Sequence, residues 1–383
     1  MKRIDPVALT AALVQCRSVT PDEGGAITLL AGILRAAGFD CTIFERGGVT
    51  NLVAVYGTKG PVFGFNGHTD VVPPGDEAAW TYPPFGGTIV NGKVHGRGSA
   101  DMKSGVAAFI AAAVEAVRNG IAGSIVIMIT GDEEGPAKDG TLAILDWLEE
   151  NGQRIDHCIV GEPTSLETFG DMIKVGRRGS INVELVARGK QGHVAYPHRA
   201  LNPIHALVKL LHYFVSQKLD DGTAYFDPST LAVTTFDVGN PTTNVVPAEA
   251  RARFNIRFND NHTGASLTER IKGVATAFAI ETDVAIEVNA SISGESFVTE
   301  VGDFTDILVA VLSDATGKVP ALSTSGGTSD ARFMTRHCPV VELGLTGLTM
   351  HQVDERVPVK EIHQLYEVYL EILRRYFASP PTV

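Results

Sequence analysis

The sequence is short of cysteine, tryptophan and basic charge. Its 383 residues include 4 cysteines and 2 tryptophans, and the formal net charge is -12. No two cysteines form a CxxC pair, which favours reduced thiols in a reducing compartment over a disulfide framework. The acidic balance argues against a nucleic-acid-binding surface, which needs a basic footprint. It still allows a small anionic ligand to bind at a local cluster of arginines.

Long hydrophobic runs are also missing. The N-terminal stretch MKRIDPVALTAALVQCRS carries acidic and polar residues too early for a secretory signal. The most apolar helical stretch, GVAAFIAAAVEAV, is too short and too interrupted to span a bilayer. The overall hydrophobic content of 44% is ordinary for a globular protein. We therefore expect a cytoplasmic protein with neither a membrane span nor a nucleic-acid partner.

The first part of the chain alternates between helical and strand patterns. Short apolar runs bounded by turn residues predict buried strands, and the helical stretches between them indicate a mainly parallel sheet. Asn91-Gly92, between two alternating segments, is a strong hairpin signal and makes the sheet mixed. The predicted fold class is therefore α/β, with a mixed, largely parallel sheet flanked by helices. The predicted strands are NLVAVYG, PVFGFNG, SIVIMIT and HCIVGEP.

The pattern of apolar and polar residues changes near residue 179. Strand and helix patterns then follow in the order β-α-β-β-α-β, which is the ferredoxin-like arrangement. We predict a catalytic domain from residues 1–178 and 295–383, interrupted by an inserted ferredoxin-like α+β domain at 179–294.

Polar side chains follow the predicted strands of the first domain. His68 and Asp70 end one strand, Glu133 and Glu134 end the next, and Glu162 ends a third. Ligands of open α/β sheets bind beyond the carboxyl ends of the strands, so these groups are expected to converge. Asp101, at the start of a helix, and His351, after a later strand, are further candidates.

Imidazole and carboxylate ligands without thiolates suit zinc, cobalt or manganese. Each residue also has a simpler interpretation on its own. Asp101 alone reads as a helix-capping acid, and Glu162 as a solvated loop residue. The coincidence of several such residues at strand ends is what favours a metal site. Adjacent side chains on an extended chain point to opposite faces, so Glu133 and Glu134 are expected to point apart, and the pattern leaves open whether they share one role or have two.

Several motifs, in order, resemble the co-catalytic metallopeptidase family of aminoacylases, glutamate carboxypeptidases and acetylornithine deacetylases. The resemblance covers essentially the whole chain. Two positions depart from the pattern: Ser104 follows Lys103, and Gly347 stands where many members have asparagine. The motifs are GHTDVVPPGDEAAW, GRGSADMKSG, TGDEEG, GEPTS, GRRGS, GKQGHVAYPH, NVVP and SGGTSDARF.

The resemblance implies two Zn²⁺ ions per subunit, with Co²⁺ or Mn²⁺ as possible substitutes. One metal would bind His68, Asp101 and Glu162, and the other would bind Asp101, Glu134 and His351. Asp101 would bridge the two ions and would precede a cis peptide bond to Met102. Asp70 would orient His68, and Glu133 would act as the general base.

The resemblance also assigns roles to the inserted domain. It implies a homodimer formed through this domain, in which His193 reaches the partner's active site and stabilises an oxyanion. Arginines that bind the substrate carboxylates would be Arg177 and Arg257, although alternating strands commonly expose such arginines to solvent. The further implied substrate contacts are Ser180, Tyr196, Asn244, Gly327 and Thr328.

The implied reaction is metal-dependent hydrolysis of an amide with a dicarboxylate acyl group. The motifs favour cleavage of N-succinyl-LL-2,6-diaminopimelate to succinate and LL-2,6-diaminopimelate, a step in lysine and diaminopimelate biosynthesis. An acetylornithine deacetylase or a carboxypeptidase of the same family is the first alternative. A non-catalytic, metal-dependent binding protein is the second, and the presence of Glu133 disfavours it because binding alone needs no base.

Overall fold

The computed structural model describes residues 3–381. The chain divides into two compact units. The first extends to Val175 and also contains Thr299–Ser323 and the residues from Ser329 onward. The second contains Gly176–Val298 and Thr324–Thr328.

The helices and strands are numbered here in chain order. The helices of the described residues are α1 Pro6–Gln15, α2 Ala26–Ala36, α3 Ser104–Asn119, α4 Thr141–Glu150, α5 Pro203–Ser216, α6 Gly264–Thr282, α7 Asp303–Thr316, α8 Ala331–Met334 and α9 Val359–Ala378. The strands are β1 Asp40–Arg46, β2 Val49–Tyr56, β3 Val62–His68, β4 Thr88–Val90, β5 Lys93–His95, β6 Ser124–Thr130, β7 His157–Val160, β8 Met172–Lys174, β9 Gly176–Arg177, β10 Gly179–Arg188, β11 Gly192–His193, β12 Thr230–Asp237, β13 Val245–Val246, β14 Glu249–Phe258, β15 Ala285–Gly294, β16 Phe297–Val298, β17 Ala321–Ser323, β18 Val340–Glu342 and β19 Arg356–Pro358.

An eight-stranded sheet forms the centre of the first unit. Its strand order is β1-β2-β6-β3-β7-β18-β8-β17. β3 runs parallel to β6 and β7, and β18 runs parallel to β7, whereas β1 and β2 form an antiparallel edge. The prediction of a mixed, largely parallel sheet is confirmed. The Asn91-Gly92 hairpin is also confirmed, and it joins β4 to β5 in a smaller three-stranded sheet.

Apolar burial fixes the helices on this sheet. All seven residues of β6 are buried, as expected for a strand covered on both faces. α3 is rich in alanine, the residue with the highest helix propensity, and it ends at Gly120 in a positive-φ conformation. The ring of Phe109 in α3 stacks on Phe65 of β3 at 4.0 Å between centroids and meets Tyr369 of α9 edge-on. These contacts hold α3 and α9 against the central strands.

The second unit contains a four-stranded antiparallel sheet with the order β12-β14-β10-β15. With α5 following β10 and α6 following β14, this is the predicted ferredoxin-like arrangement. Alternate residues of β10, beginning with Ile181 and Val183, are buried in a core shared with α5 and α6. Asn182, which lies between them, is exposed on the other face of the sheet, as is Arg253 on the neighbouring strand β14. This unit therefore has an open, polar sheet face.

None of the helices in residues 3–381 has the 18-residue apolar stretch that a bilayer span requires.

Candidate metal centre

The carboxyl ends of three neighbouring strands, β6, β3 and β7, supply the acidic and imidazole groups of the first unit. His68 is the last residue of β3, and Glu162 lies two residues after β7. Glu133 and Glu134 follow β6 after a short turn. Because β3 is parallel to both neighbours, the three ends meet at one edge of the sheet, as the sequence predicts.

Asp101 stands between the two histidines. Its Oδ1 lies 3.2 Å from His68 Nε2, and its Oδ2 lies 3.5 Å from His351 Nε2. The residue has extended dihedrals (φ -124°, ψ 101°) in the irregular segment Ser99–Lys103, just before α3. The Asp101–Met102 peptide bond is cis, which confirms that expectation. Each carboxylate oxygen therefore faces a different imidazole.

The remaining carboxylates divide between the two histidines. Glu134 Oε1 lies 2.9 Å from His351 Nε2, whereas Glu162 Oε1 lies 3.8 Å from His68 Nε2. Glu133 Oε2 also approaches His68 Nε2, at 4.0 Å. Ligand atoms of His68, Glu133 and Glu162 lie within 4.8 Å of one another, and so do those of His68, Asp101 and Glu134. By distance alone, Glu133 could serve as a ligand.

Glu133 and Glu134 direct their carboxylates to different histidines, as expected, but the predicted reason is wrong. β6 ends at Thr130, so both glutamates lie beyond the strand in a turn. The alternation of an extended strand therefore does not separate them. The conformation of the turn separates the two carboxylates instead, and the carboxylate of Asp70 accepts hydrogen bonds from the backbone of this turn. Asp70 Oδ2 accepts a hydrogen bond from the Glu134 N–H at 3.0 Å, and Oδ1 accepts a longer one from the Glu133 N–H at 3.3 Å.

Asp70 also orients His68, mainly through its backbone. The Nδ1–H of His68 donates to the main-chain carbonyl of Asp70 at 2.9 Å, and the nearest carboxylate oxygen is 3.6 Å away. This hydrogen bond leaves Nε2 directed at Asp101 and available as a ligand atom. Asp70 thus links the imidazole to the turn that carries both glutamates.

Charge is concentrated in this cluster. His68 is 1% exposed and Glu162 7% exposed, whereas the His351 side chain is 48% exposed. Burial, together with nearby carboxylates, raises the pKa of Glu133 and of Glu162 well above the usual range. Burial alone would also raise the pKa of Asp101, but hydrogen bonds with His351 and His68 lower it. Hydrogen bonds with Asp101 and Glu134 raise the pKa of His351 to about 10.

The donor set fits divalent metal ions. It combines two imidazole nitrogens with several carboxylates and no thiolate, which is the preference of Zn²⁺, Co²⁺ and Mn²⁺. Buried carboxylates repel one another unless positive charge is supplied. Asp101 and the neighbouring glutamates raise the pKa of His68 above the ordinary value despite burial. Divalent metal ions bound by this donor set would supply positive charge among the carboxylates.

A close helix-to-strand approach places Asp101 beside Glu162. A Cβ atom added to Gly105 of α3 would lie 2.4 Å from the carbonyl oxygen of Gly161, at the end of β7. Only glycine permits this approach without a shift of the backbone. The start of α3, with Asp101, is thereby held against the loop that carries Glu162.

The predicted substrate contacts all lie in the second unit, where they form two groups. In the first group, Arg177 donates from Nη1 to the carbonyl of Gly327 at 3.1 Å. Ser180 is paired with Arg257 across β10 and β14, and its hydroxyl accepts from Asn255 at 3.0 Å. Thr328 follows Gly327 and is partly buried.

The second group is an exposed patch around β11 and β13. His193 Nδ1 accepts from the N–H of Ala195 at 3.1 Å, and its ring lies 5.7 Å from that of Tyr196. The carbonyl of Asn244 accepts from the N–H of Val194 at 3.1 Å. His193, Tyr196 and Asn244 therefore neighbour one another, as residues of one binding surface would.

Sequence reasoning missed two residues beside the predicted ones. Arg178 lies close enough to Arg257 to lower its pKa, together with burial, and both guanidinium groups have a buried nitrogen without a hydrogen-bond partner among the described residues. Two such arginines are suited to a carboxylate. Asp330 accepts from the Thr141 hydroxyl at 2.7 Å, and its charge contributes to the raised pKa of Glu133. Both residues stand in quoted motifs, but the motifs do not distinguish them from their neighbours.

Comparison with known proteins identifies the family. Residues 64–375 match the sequence profile of peptidase family M20/M25/M40. The chain belongs to this family. The family predicted from the motifs is thus confirmed.

Relatives within peptidase family M20/M25/M40 cover nearly the whole chain. The succinyl-diaminopimelate desuccinylase of Paracoccus denitrificans is 57% identical, covering 98% of this chain and 99% of the relative. The protein of the same name from Cereibacter sphaeroides is 58% identical, covering 98% and 100%. The crystal structure of aminopeptidase PepT from Bacillus cereus has the same fold, with a TM-score of 0.79 at 22% identity, covering 96% and 97%.

Proposed function

We propose that this protein is a di-zinc amidohydrolase that cleaves N-succinyl-LL-2,6-diaminopimelate to succinate and LL-2,6-diaminopimelate. The substrate follows from relatives at 57–58% identity that carry the name succinyl-diaminopimelate desuccinylase. The observation that carries the metal chemistry is the position of Asp101, with one carboxylate oxygen toward each of two histidines.

The distances support two ligand sets that share one residue. His68, Asp101 and Glu162 would hold the first ion, and Asp101, Glu134 and His351 would hold the second. Asp101 is the bridging ligand in this assignment. Zn²⁺ is proposed as the resident metal, with Co²⁺ or Mn²⁺ as substitutes, because all three accept nitrogen and oxygen ligands.

Two bound cations would lower the pKa of a shared water and polarise the scissile carbonyl. Glu133 is the proposed general base. In the reaction, the water oxygen bonds to the succinyl carbonyl carbon and the C–N bond breaks. Glu133 accepts the water proton and passes it to the leaving amine. Burial and the nearby carboxylates raise the pKa of Glu133. Asp70 holds the turn that positions this carboxylate.

The second unit would bind the substrate and form the dimer. Arg257 and Arg177 are the proposed carboxylate-binding residues, and the contacts of Arg178 add it as a third candidate. His193 would stabilise the oxyanion in the active site of the partner subunit, with Ser180, Tyr196, Asn244, Gly327 and Thr328 as further contacts. The four free cysteines agree with the proposed cytoplasmic location.

The test is turnover of N-succinyl-LL-2,6-diaminopimelate by the purified protein before and after exhaustive chelation. We expect hydrolysis that disappears on chelation and returns on addition of Zn²⁺ or Co²⁺. N-acetylornithine and a set of dipeptides complete the substrate panel. Activity that survives metal removal would contradict the metal mechanism. Turnover of N-acetylornithine without turnover of the succinylated compound would instead assign the chain to the alternative deacetylase activity.

A further inference from the structure

A buried ion pair lies directly behind the candidate metal centre. Arg97 Nη1 and Glu355 Oε2 are 2.5 Å apart, and the two side chains are 3% and 0% exposed. The partners are 258 positions apart in the sequence. None of the ligand assignments involves either residue. A fully buried pair is weak evidence for stability, because desolvation offsets much of the attraction. The role of the Arg97–Glu355 pair must therefore be inferred from the other groups that its two side chains contact.

Glu355 binds the backbone of the bridging ligand. Its Oε1 accepts hydrogen bonds from the N–H groups of Ala100 at 2.8 Å and Asp101 at 3.2 Å. These two donors belong to the irregular segment before α3, in which Asp101 has non-helical dihedrals. The carboxylate of Glu355 therefore fixes the backbone at Asp101.

Arg97 binds the backbone of the other ligand loop. Its Nη2 donates to the carbonyl of His351 at 3.4 Å, and its Nη1 donates to the carbonyl of Gln352 at 3.3 Å. His351 has a φ of 61° and Asp354 a φ of 59°, a left-handed conformation that is unfavourable for residues other than glycine. A loop with two such residues needs external contacts to keep one conformation.

We propose that Arg97 and Glu355 are positioning residues that set the separation of Asp101 and His351, and thereby the affinity for the second metal ion. This inference rests on the proposed two-ion site. The hydrogen bonds of the pair to the His351 loop and to the Asp101 segment are all to backbone atoms. The pair therefore acts on where the metal ligands lie. The second ion has two ligands held in this way, Asp101 and His351. The first has only Asp101.

The proposal is tested by comparing the affinities of the two ions, because the second ion should depend more strongly on the Arg97–Glu355 pair than the first. Glu355→Gln keeps the size of the side chain but removes the charge that binds Arg97. We expect it to weaken binding of the second ion about 10- to 100-fold, the usual effect of losing a group that orients a metal ligand. Binding of the first ion should change less. Titration of the metal-free protein with Co²⁺, followed by visible absorption and calorimetry, measures both steps.

Two more variants separate positioning from general damage. Arg97→Lys keeps the charge and should weaken the second ion less than Arg97→Met does. Asp156→Asn is the matched control. Asp156 is a buried carboxylate in the same unit that accepts a backbone N–H, from Val62 at 2.8 Å, and pairs with Arg154 at 2.7 Å. It should leave both metal affinities unchanged. Activity of Glu355→Gln should recover at saturating Co²⁺, which a misfolded protein would not show.

The outcomes distinguish this inference from the proposed function. If the unsubstituted protein binds two ions and the Glu355 and Arg97 variants bind both as tightly, the positioning role is overturned and the metal centre stands. Equal weakening of both ions also overturns it. If the unsubstituted protein binds fewer than two ions, the two-ion site fails, and the inference fails with it.

Discussion

The two units of this protein present their candidate functional residues in opposite ways. In the first, side chains from three strand ends and two loops meet, and their charged atoms lie about 3 to 4 Å apart. In the second, the candidates sit on an open sheet and an exposed loop and bind mostly backbone groups of their own unit. The geometry of the first unit therefore indicates the type of reaction but not the substrate. In the second unit, the roles of the candidate residues can be assigned only once a substrate is known.

The strongest way to test this difference is to remove the base from the first unit. Glu133→Gln keeps the shape of the side chain but cannot accept a proton. We expect kcat to fall by about 100- to 10,000-fold, the usual contribution of general acid–base catalysis. Metal content, measured by elemental analysis, should stay at the unsubstituted level.

Glu150→Gln, at the exposed end of α4, is the control and should leave kcat unchanged. If Glu133→Gln loses a metal ion, Glu133 is a ligand. The distance of 4.0 Å between its Oε2 and His68 Nε2 would then be explained by a metal ion that both residues bind.

The two histidines allow a finer test within the first unit. His351→Ala should lower the bound metal from two ions to one, because His351 faces only the second ligand set. His68→Ala should remove the first ion and, being almost fully buried, should also destabilise the fold. Metal content and thermal unfolding measure both effects. Loss of both ions in His351→Ala would contradict two separate ligand sets.

Substitutions in the second unit should act on substrate binding. Arg257→Ala and Arg178→Ala are each expected to raise KM about 10- to 100-fold, because a charged hydrogen bond contributes about 1.5–3 kcal/mol. Metal content should be unaffected. Arg177→Ala provides the comparison, since Arg177 already donates to the Gly327 carbonyl. A larger effect on KM of Arg177→Ala than of Arg178→Ala would favour Arg177 as the carboxylate-binding residue over the added candidate, Arg178.

A matched pair of glycine substitutions gives the smallest effects. Gly105→Ala would push a methyl group against the Gly161 carbonyl, and overpacking of this kind costs about 1–3 kcal/mol. Gly273→Ala, in the exposed part of α6, meets no atom within 4 Å and should stabilise by about 0.5–1 kcal/mol. Chemical denaturation measures both. If Gly105→Ala does not destabilise the protein, the close approach does not hold the metal ligands in place.

Much of the first unit could be predicted from sequence because its strands and the polar residues that follow them are marked by short, local sequence patterns. Apolar runs mark the parallel strands, and a polar residue after each run must lie at their shared edge. His68 and Glu162 are of this kind. The ferredoxin-like order of the second unit follows from periodicity in the same way.

Other features depend on contacts that no local pattern encodes. His351 enters the site from a loop with left-handed backbone. Its place after a predicted strand made it a candidate, but only the family resemblance gave it the role of a ligand to the second metal ion. The Asp70 carboxylate binds backbone N–H groups 63 and 64 positions away, and periodicity gives no sign of such bonds. The choice between Arg177 and Arg178 depends on how the chain bends between β9 and β10, because adjacent arginines are equivalent in a motif.

The central claim is that Asp101 bridges two metal ions. Anomalous X-ray diffraction from crystals of the zinc-loaded protein, recorded on both sides of the zinc absorption edge, tests it directly. The account predicts two zinc peaks flanking the Asp101 carboxylate, one contacted by His68 and Glu162, the other by Glu134 and His351. A single peak, or zinc bound by one oxygen of Asp101 with Glu133 completing its ligand set, would contradict it.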